Sequence, residues 1–105
     1  MSTVTIAAAN VELDNEGFFI DPTQWNEHMV PELARRAGID ELTDRHWTVV
    51  RFMREQYLNT GSGPTVRVLG KTSGIPIKEL YELFPHGPAK TAAKIAGIPK
   101  PRGCI

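Results

Sequence analysis

At 105 residues, with 12 basic and 12 acidic side chains and no net charge, the chain is sized for one small domain with a modest core of its own. Its single cysteine excludes an internal disulfide and any cysteine-rich zinc site, and no apolar stretch reaches membrane-spanning length. The amino-terminal residues show no basic region followed by an apolar run, so the expected compartment is the reducing cytoplasm.

The charge is divided along the chain. Residues 1–44 hold nine acids and two bases, whereas residues 45–105 hold ten bases and three acids, Glu55, Glu79 and Glu82. After Glu82 only Lys90, Lys94, Lys100 and Arg102 carry side-chain charge. Such an end attracts an acidic partner surface, an anionic sulfur species or a nucleic acid, and equally describes an ordinary solvated helix and tail.

Residues 3–7 and 11–13 are short and rich in β-branched side chains, with Ala-Ala-Asn between them, and Asp14-Asn15-Glu16-Gly17 is a turn before Phe18-Phe19-Ile20. This predicts a small hairpin or three-strand meander over residues 1–20, acting as a lid on a helical core. Asp21 is placed to cap a helix starting at Pro22, with Gln24 completing a capping-box pattern. Pro31 is expected to kink or restart that helix before it ends at Gly38, and Trp25, Met29 and Leu33 fall at core-face spacing.

The central strut is predicted over 43–58, capped by Thr43, with Trp47, Val50, Met53 or Arg54, and Tyr57 on one stripe. His46 near its start is structural or exposed in this reading, and His28, His46 and His86 have no metal-binding spacing. Two short helices follow, Pro64 to about Thr72 and Pro76 to about Phe84, each with proline just inside its start. Together they resemble a helix-turn-helix, but Lys78-Glu79-Leu80-Tyr81-Glu82 is poor in bases for a recognition helix, so direct nucleic-acid binding is not expected. A last helix begins at Pro88 and is closed by Gly97, with Lys90 and Lys94 on one face.

Beyond Gly97 the residues Ile98-Pro-Lys-Pro-Arg-Gly-Cys-Ile105 exclude helix and favour an extended path. Seven steps of at most ~3.3–3.6 Å separate Gly97 from Cys104, a reach of roughly 20–25 Å for the sulfur. No phosphate loop, dinucleotide fingerprint, nucleophile elbow or metal signature is present, and no metal or cofactor is expected. The Cys104 thiol is the remaining chemical candidate. Arg102 and Lys100 favour its thiolate while the carboxylate of Ile105 disfavours it, and the sequence leaves the sign open.

Leu83-Phe-Pro-His-Gly-Pro-Ala-Lys90 followed by Ile95-Ala-Gly-Ile-Pro-Lys-Pro-Arg-Gly-Cys-Ile105 resembles the carboxy-terminal signature of the DsrC/TusE family of dissimilatory sulfite reductase gamma-subunit-like proteins. The resemblance extends through Asp14-Asn-Glu-Gly17 with Trp25, Leu42-Thr-Asp-Arg-His-Trp47 with Arg54, Glu55 and Tyr57, and Pro64 with Arg67-Val-Leu69. It implies a mainly α (α+β) fold: a compact orthogonal bundle of about five helices with a helix-turn-helix-like element, a small amino-terminal β-hairpin, a domain over 1–97 and a flexible carboxy-terminal arm over 98–105. It also implies that Cys104 carries sulfur as a persulfide. Arg67, Lys90, Lys94, Lys100 and Arg102 are the expected basic support of that arm.

The implied partners are a sulfur-relay donor complex similar to TusBCD or DsrEFH and an acceptor such as a tRNA thiouridylase or a sulfite reductase, with no membrane. Members serving dissimilatory sulfite reductase have a second cysteine where this chain has Ala93. A one-cysteine chain is instead similar to TusE-type carriers, which relay sulfur toward 2-thiouridine in tRNA. Between Gly70 and Tyr81 the chain is expected to be several residues shorter than both kinds of relative. The competing reading is a non-catalytic docking or regulatory subunit of a sulfite reductase-type complex, or a helix-turn-helix DNA-binding regulator.

Overall fold

The computed structural model describes residues 2–101. Strands β1 (Ser2–Ile6) and β2 (Ala9–Leu13) pair antiparallel with Val4 opposite Val11 and Ile6 opposite Ala9. This register puts every apolar residue of the hairpin on one face, where Ile6, Val11 and Leu13 are buried. The connecting turn is only Ala7-Ala8, shorter than the sequence suggests, and both alanines adopt positive φ, 50° and 67°. Closing a two-residue hairpin needs that conformation even where no glycine or asparagine is available. After the Asp14–Gly17 turn, Phe19 forms a bridge with Leu13, so the third strand is reduced to one pair.

The stretch from Asp21 to Gly38 is not one kinked helix. Asp21 caps a single 3-10 turn, Pro22–Gln24, and a second turn, Glu27–Met29, follows. Helix α1 (Val30–Arg36) starts afresh with Pro31 in its first turn, where a missing amide proton costs no hydrogen bond. Gln24 makes no capping box. Its Oε1 accepts from the Glu12 amide at 2.9 Å and ties this segment to β2.

Helix α2 (Asp44–Thr60) has the predicted Thr43 cap, but the partner in its capping box is His46. The His46 Nδ1 accepts from the Thr43 amide at 3.1 Å, which leaves Nε2 to donate to the Leu83 carbonyl at 2.9 Å. His46 is therefore a buried joint between α2 and the backbone at Leu83. Helices α3 (Val66–Thr72) and α4 (Ile77–Leu83) form the paired corner, capped by Thr65 and Pro76, so both prolines lie just before the helices rather than inside them. The corner is tight because Gly70 faces Ile77, whose Cγ1 would be 2.5 Å from a β-carbon on residue 70. Arg45 grips Glu79 through two bonds of 2.6 and 2.7 Å, fixing α4 to the start of α2.

Helix α5 (Pro88–Ile95) is the most enclosed element, with Ala89, Thr91, Ala92, Ala93 and Ile95 all buried. Its small side chains let α2 approach closely, and it also packs on α1, α3 and α4. The core thus gathers around the element that leads into the carboxy-terminal residues. Among the described residues no helix is long and apolar enough to cross a membrane.

Candidate functional site

The site is built from the end of α5 outward. Helix α5 closes itself: the amides of Ala96, Gly97 and Ile98 donate to the carbonyls of Ala92, Lys94 and Ala93 at 2.8, 3.4 and 3.2 Å. Gly97 adopts φ 67°, the left-handed turn that lets the chain leave the helix axis. The carbonyls of Ile95, Ala96 and Gly97 still need donors, since the final turn of a helix has no amide to offer them.

Two side chains distant in sequence provide those donors. The Trp25 indole Nε1 donates to the Ile95 carbonyl at 2.8 Å. The Arg54 guanidinium donates through one nitrogen to Ala96 and Gly97, at 2.9 and 3.3 Å, and through the other to the Pro22 carbonyl at 2.8 Å. Its charged carbon sits 4.3 Å from the centre of the Trp25 ring. Burial lowers the Arg54 pKa from its ordinary value, while the neighbouring Tyr57 acts in the opposite direction. Among the described residues no carboxylate pairs with Arg54; its charge is answered by three carbonyl dipoles and an aromatic face.

The residues after Gly97 are seated too. Ile98 is fully buried and Pro101 is buried beside it. Both rest over Gly63, where a β-carbon would be 2.8 Å from the Ile98 Cδ1 and 3.3 Å from the Pro101 Cγ. Lys100 reaches back to Glu16 at 3.1 Å. A pivot at Gly97 is therefore not what the packing shows, because the chain stays on the body through Pro101. The apolar side chain of Ile98 belongs to the core, which outweighs the helix-breaking character of its proline neighbours.

The expected basic support divides. Cys104 and Arg102 lie outside the described residues. Lys94 and Lys100 are brought together at the Asp14–Gly17 turn: Lys100 pairs with Glu16, and Lys94 passes Gly17 to place its ammonium 5.2 Å from the Phe18 ring centre. Lys90 is half-buried on α5 and Arg67 is exposed on α3, and neither forms an ion pair among the described residues. Lys94 also lines an open cleft of about 200 Å3 with Leu13, Glu16, Leu33 and Arg36. The acidic amino-terminal half and the basic carboxy-terminal half thus meet within the chain, in Lys100–Glu16 and in Arg51–Glu27.

Sequence reasoning missed the parts played by Trp25, Arg54 and Gly63. The one available signal was an arginine falling on the apolar stripe of α2, which implies that its charge is met by partners inside the fold. The position matched to a second cysteine, Ala93, is fully buried, and its carbonyl accepts from Ile98. No group of three or more His, Cys, Asp or Glu side chains could hold a metal among the described residues.

Compared with known proteins, residues 5–105 match the family model described as DsrC like protein. The dissimilatory-type sulfite reductase subunit gamma of Nitratidesulfovibrio vulgaris is 38% identical over 105 residues, all of both chains. The sulfurtransferase TusE of Salmonella paratyphi A is 45% identical over 102 aligned positions, spanning 90% of this chain and 93% of the relative. A crystal structure of dissimilatory sulfite reductase I (DsrI) superposes with a TM-score of 0.87 at 38% identity, covering 99% of this chain and 100% of that one. The gamma subunit is thus of this chain's own length, so the shortening expected between Gly70 and Tyr81 does not hold against it.

Proposed function

The chain belongs to the DsrC-like family, and from that premise we propose that it is a sulfur carrier whose working atom is the Cys104 sulfur. The observation that carries the reading is the family match running to residue 105, over a tail in which the chain's one thiol stands next to last. The two named relatives, a sulfurtransferase and a sulfite reductase subunit, support sulfur handling as the common theme.

The chemistry is two displacements at sulfur. The Cys104 thiolate attacks the outer sulfur of a donor persulfide, forming one S–S bond as the donor's S–S bond breaks and the donor leaves as a thiolate. An acceptor thiolate then attacks the outer sulfur on Cys104, and Cys104 leaves as a thiolate. No net oxidation occurs and no cofactor is required. With alanine at position 93, Cys104 has no thiol of its own chain to close on, so the load is handed to a partner. The partners in this reading are a sulfur-relay donor and an acceptor such as a tRNA thiouridylase or a sulfite reductase, in the reducing cytoplasm. Lys94, in no ion pair among the described residues, leaves a positive charge near the root of the tail that favours anionic sulfur, whereas the charge of Lys100 is met by Glu16.

Intact-mass measurement after incubation with inorganic polysulfide or a cysteine desulfurase system should show addition of sulfur atoms that disappears in Cys104→Ala. A wild-type chain left unmodified by every donor would remove the reading. The second reading, a docking or regulatory subunit without sulfur transfer, is favoured by Ala93; it requires Cys104→Ala to retain partner binding and cellular function together.

A further inference from the structure

We propose that Arg54 is the positioning residue of the sulfur arm, a guanidinium that sets the heading at which the chain leaves α5; the inference rests on the carrier reading only for the purpose it gives that heading. Helix α5 does not need Arg54 to end. Its last turn is closed by the backbone bonds from Ala96, Gly97 and Ile98, and the Ile95 carbonyl is taken by Trp25. The two carbonyls that Arg54 holds in this region, Ala96 and Gly97, lie beyond the last helical residue. Fixing consecutive carbonyls fixes the peptide planes on either side of Gly97, the residue with the widest conformational choice along this path. Arg54 therefore acts on direction rather than on helix formation.

Three further features fit this role. The second nitrogen of Arg54 is held by Pro22 and its face by Trp25, so the guanidinium is oriented from outside the helix it serves. A planar fork makes three directed bonds here, which a lysine ammonium at the same place would not reproduce. Downstream, Ile98 enters the core and Pro101 settles over Gly63, as the heading requires. Only three residue steps of at most ~3.3–3.6 Å separate Pro101 from Cys104, a chain reach of roughly 10–11 Å to the Cys104 Cα. A partner protein must then bring its own sulfur to this face of the body, and the heading decides which face that is.

The test uses the full chain with Arg54→Lys and Trp25→Phe. Amide hydrogen exchange is measured at Ile98 and, as a core control, at Val50, and the distance distribution is measured between a nitroxide on Cys104 and one on an introduced Lys71→Cys. Arg54→Lys should accelerate exchange at Ile98 roughly tenfold or more, leave Val50 unchanged and broaden the distribution. Trp25→Phe removes a donor to a carbonyl inside the helix and keeps a ring under the guanidinium, so it should leave Ile98 within about twofold of wild type. Unchanged exchange and distances in Arg54→Lys would overturn the proposal, as would an Ile98 amide unprotected in the wild type. A large acceleration in Trp25→Phe would also overturn it, assigning the heading to the indole. Should Arg54→Lys not fold, the wild-type Ile98 amide and Trp25→Phe still decide. Polysulfide loading of Cys104 is measured in parallel on the wild type. Failure of the wild type to load removes the carrier reading and leaves the exchange and distance results standing on their own.

Discussion

Gly97 lies so close against Trp25 that a β-carbon on residue 97 would be 2.6 Å from the Trp25 Cβ and closer still to the ring. The helix end and the indole share this space because residue 97 has no side chain. The same closeness carries the indole nitrogen to the Ile95 carbonyl and places the ring under Arg54.

Gly97→Ala should be the most damaging glycine-to-alanine change among the described residues. The left-handed backbone costs an alanine about 1–2 kcal/mol, and forcing the indole aside adds the ~1–3 kcal/mol typical of overpacking. Thermal melts should show a large drop, together with a changed Trp fluorescence spectrum as Trp25 leaves the guanidinium. A melt within a degree or two of wild type would contradict the packing described.

Gly63→Ala tests the seat of the tail separately. Gly63 has no positive φ, so the added methyl acts only through its contacts with Ile98, Pro101 and Met53. The expected loss is about 1–3 kcal/mol, with faster amide exchange at Ile98 and unchanged exchange in the β1–β2 hairpin. Equal acceleration in both regions would mean that the seat is not a local feature.

Truncation should separate the core from the tail at Pro101 rather than at Gly97. A chain ending after Gly97 loses the fully buried Ile98 side chain and should be less stable by roughly 2–5 kcal/mol. A chain ending after Pro101 should melt like the full chain and fail to load sulfur, having lost Cys104. Equal melting of the two truncations would return the boundary to Gly97.

Stability should fall in acid partly through two surface carboxylates. Side-chain and then backbone hydrogen bonds from Thr23 hold the Asp21 pKa below its ordinary 3.8, and the Arg45 side-chain bond holds Glu79 below 4.5. A carboxyl whose pKa is depressed in the fold contributes stability above its unfolded value and loses it as pH falls through the folded value. Both contributions are therefore present at neutral pH and are lost as pH drops below about 4.5, Glu79 beginning first. Glu79→Gln should flatten the pH dependence of urea midpoints over that range, with little salt-independent cost because the pair is solvent-exposed. An unaltered slope would show that the Arg45 pair does not bias this titration.

Much of the architecture was legible because local chemistry agreed with the fold. Thr43 before an apolar stripe, Pro88 opening α5 and Gly97 closing it each have one strong local meaning, and the structure uses them that way. In the Asp21–Gly38 stretch the helix restarts at Pro31 and is closed by Gly38 as expected, but the helix expected from Pro22 did not form because its capping signals belonged to separate short turns: Asp21 caps Thr23, while Gln24 is drawn to Glu12. At Ala7-Ala8 the hairpin register overrode the residues' own preference, since burying Val11 and Leu13 leaves only two residues for the turn.

The sequence by itself determined that the chain has a single thiol, and that Cys104 follows a tail too rich in proline to favour helix. It also determined that position 93 holds no second thiol. Only the tertiary structure decided where that tail departs from the body. Trp25, Arg54 and Gly63 come from three segments with no periodic relation to residues 95–101: the first two converge there because a buried helix end leaves carbonyls that must find donors, and Gly63 leaves room for Ile98 and Pro101. Such long-range satisfaction of backbone groups has no local signature, so a residue read as one member of an apolar stripe, Arg54, emerged as the residue that aims the tail.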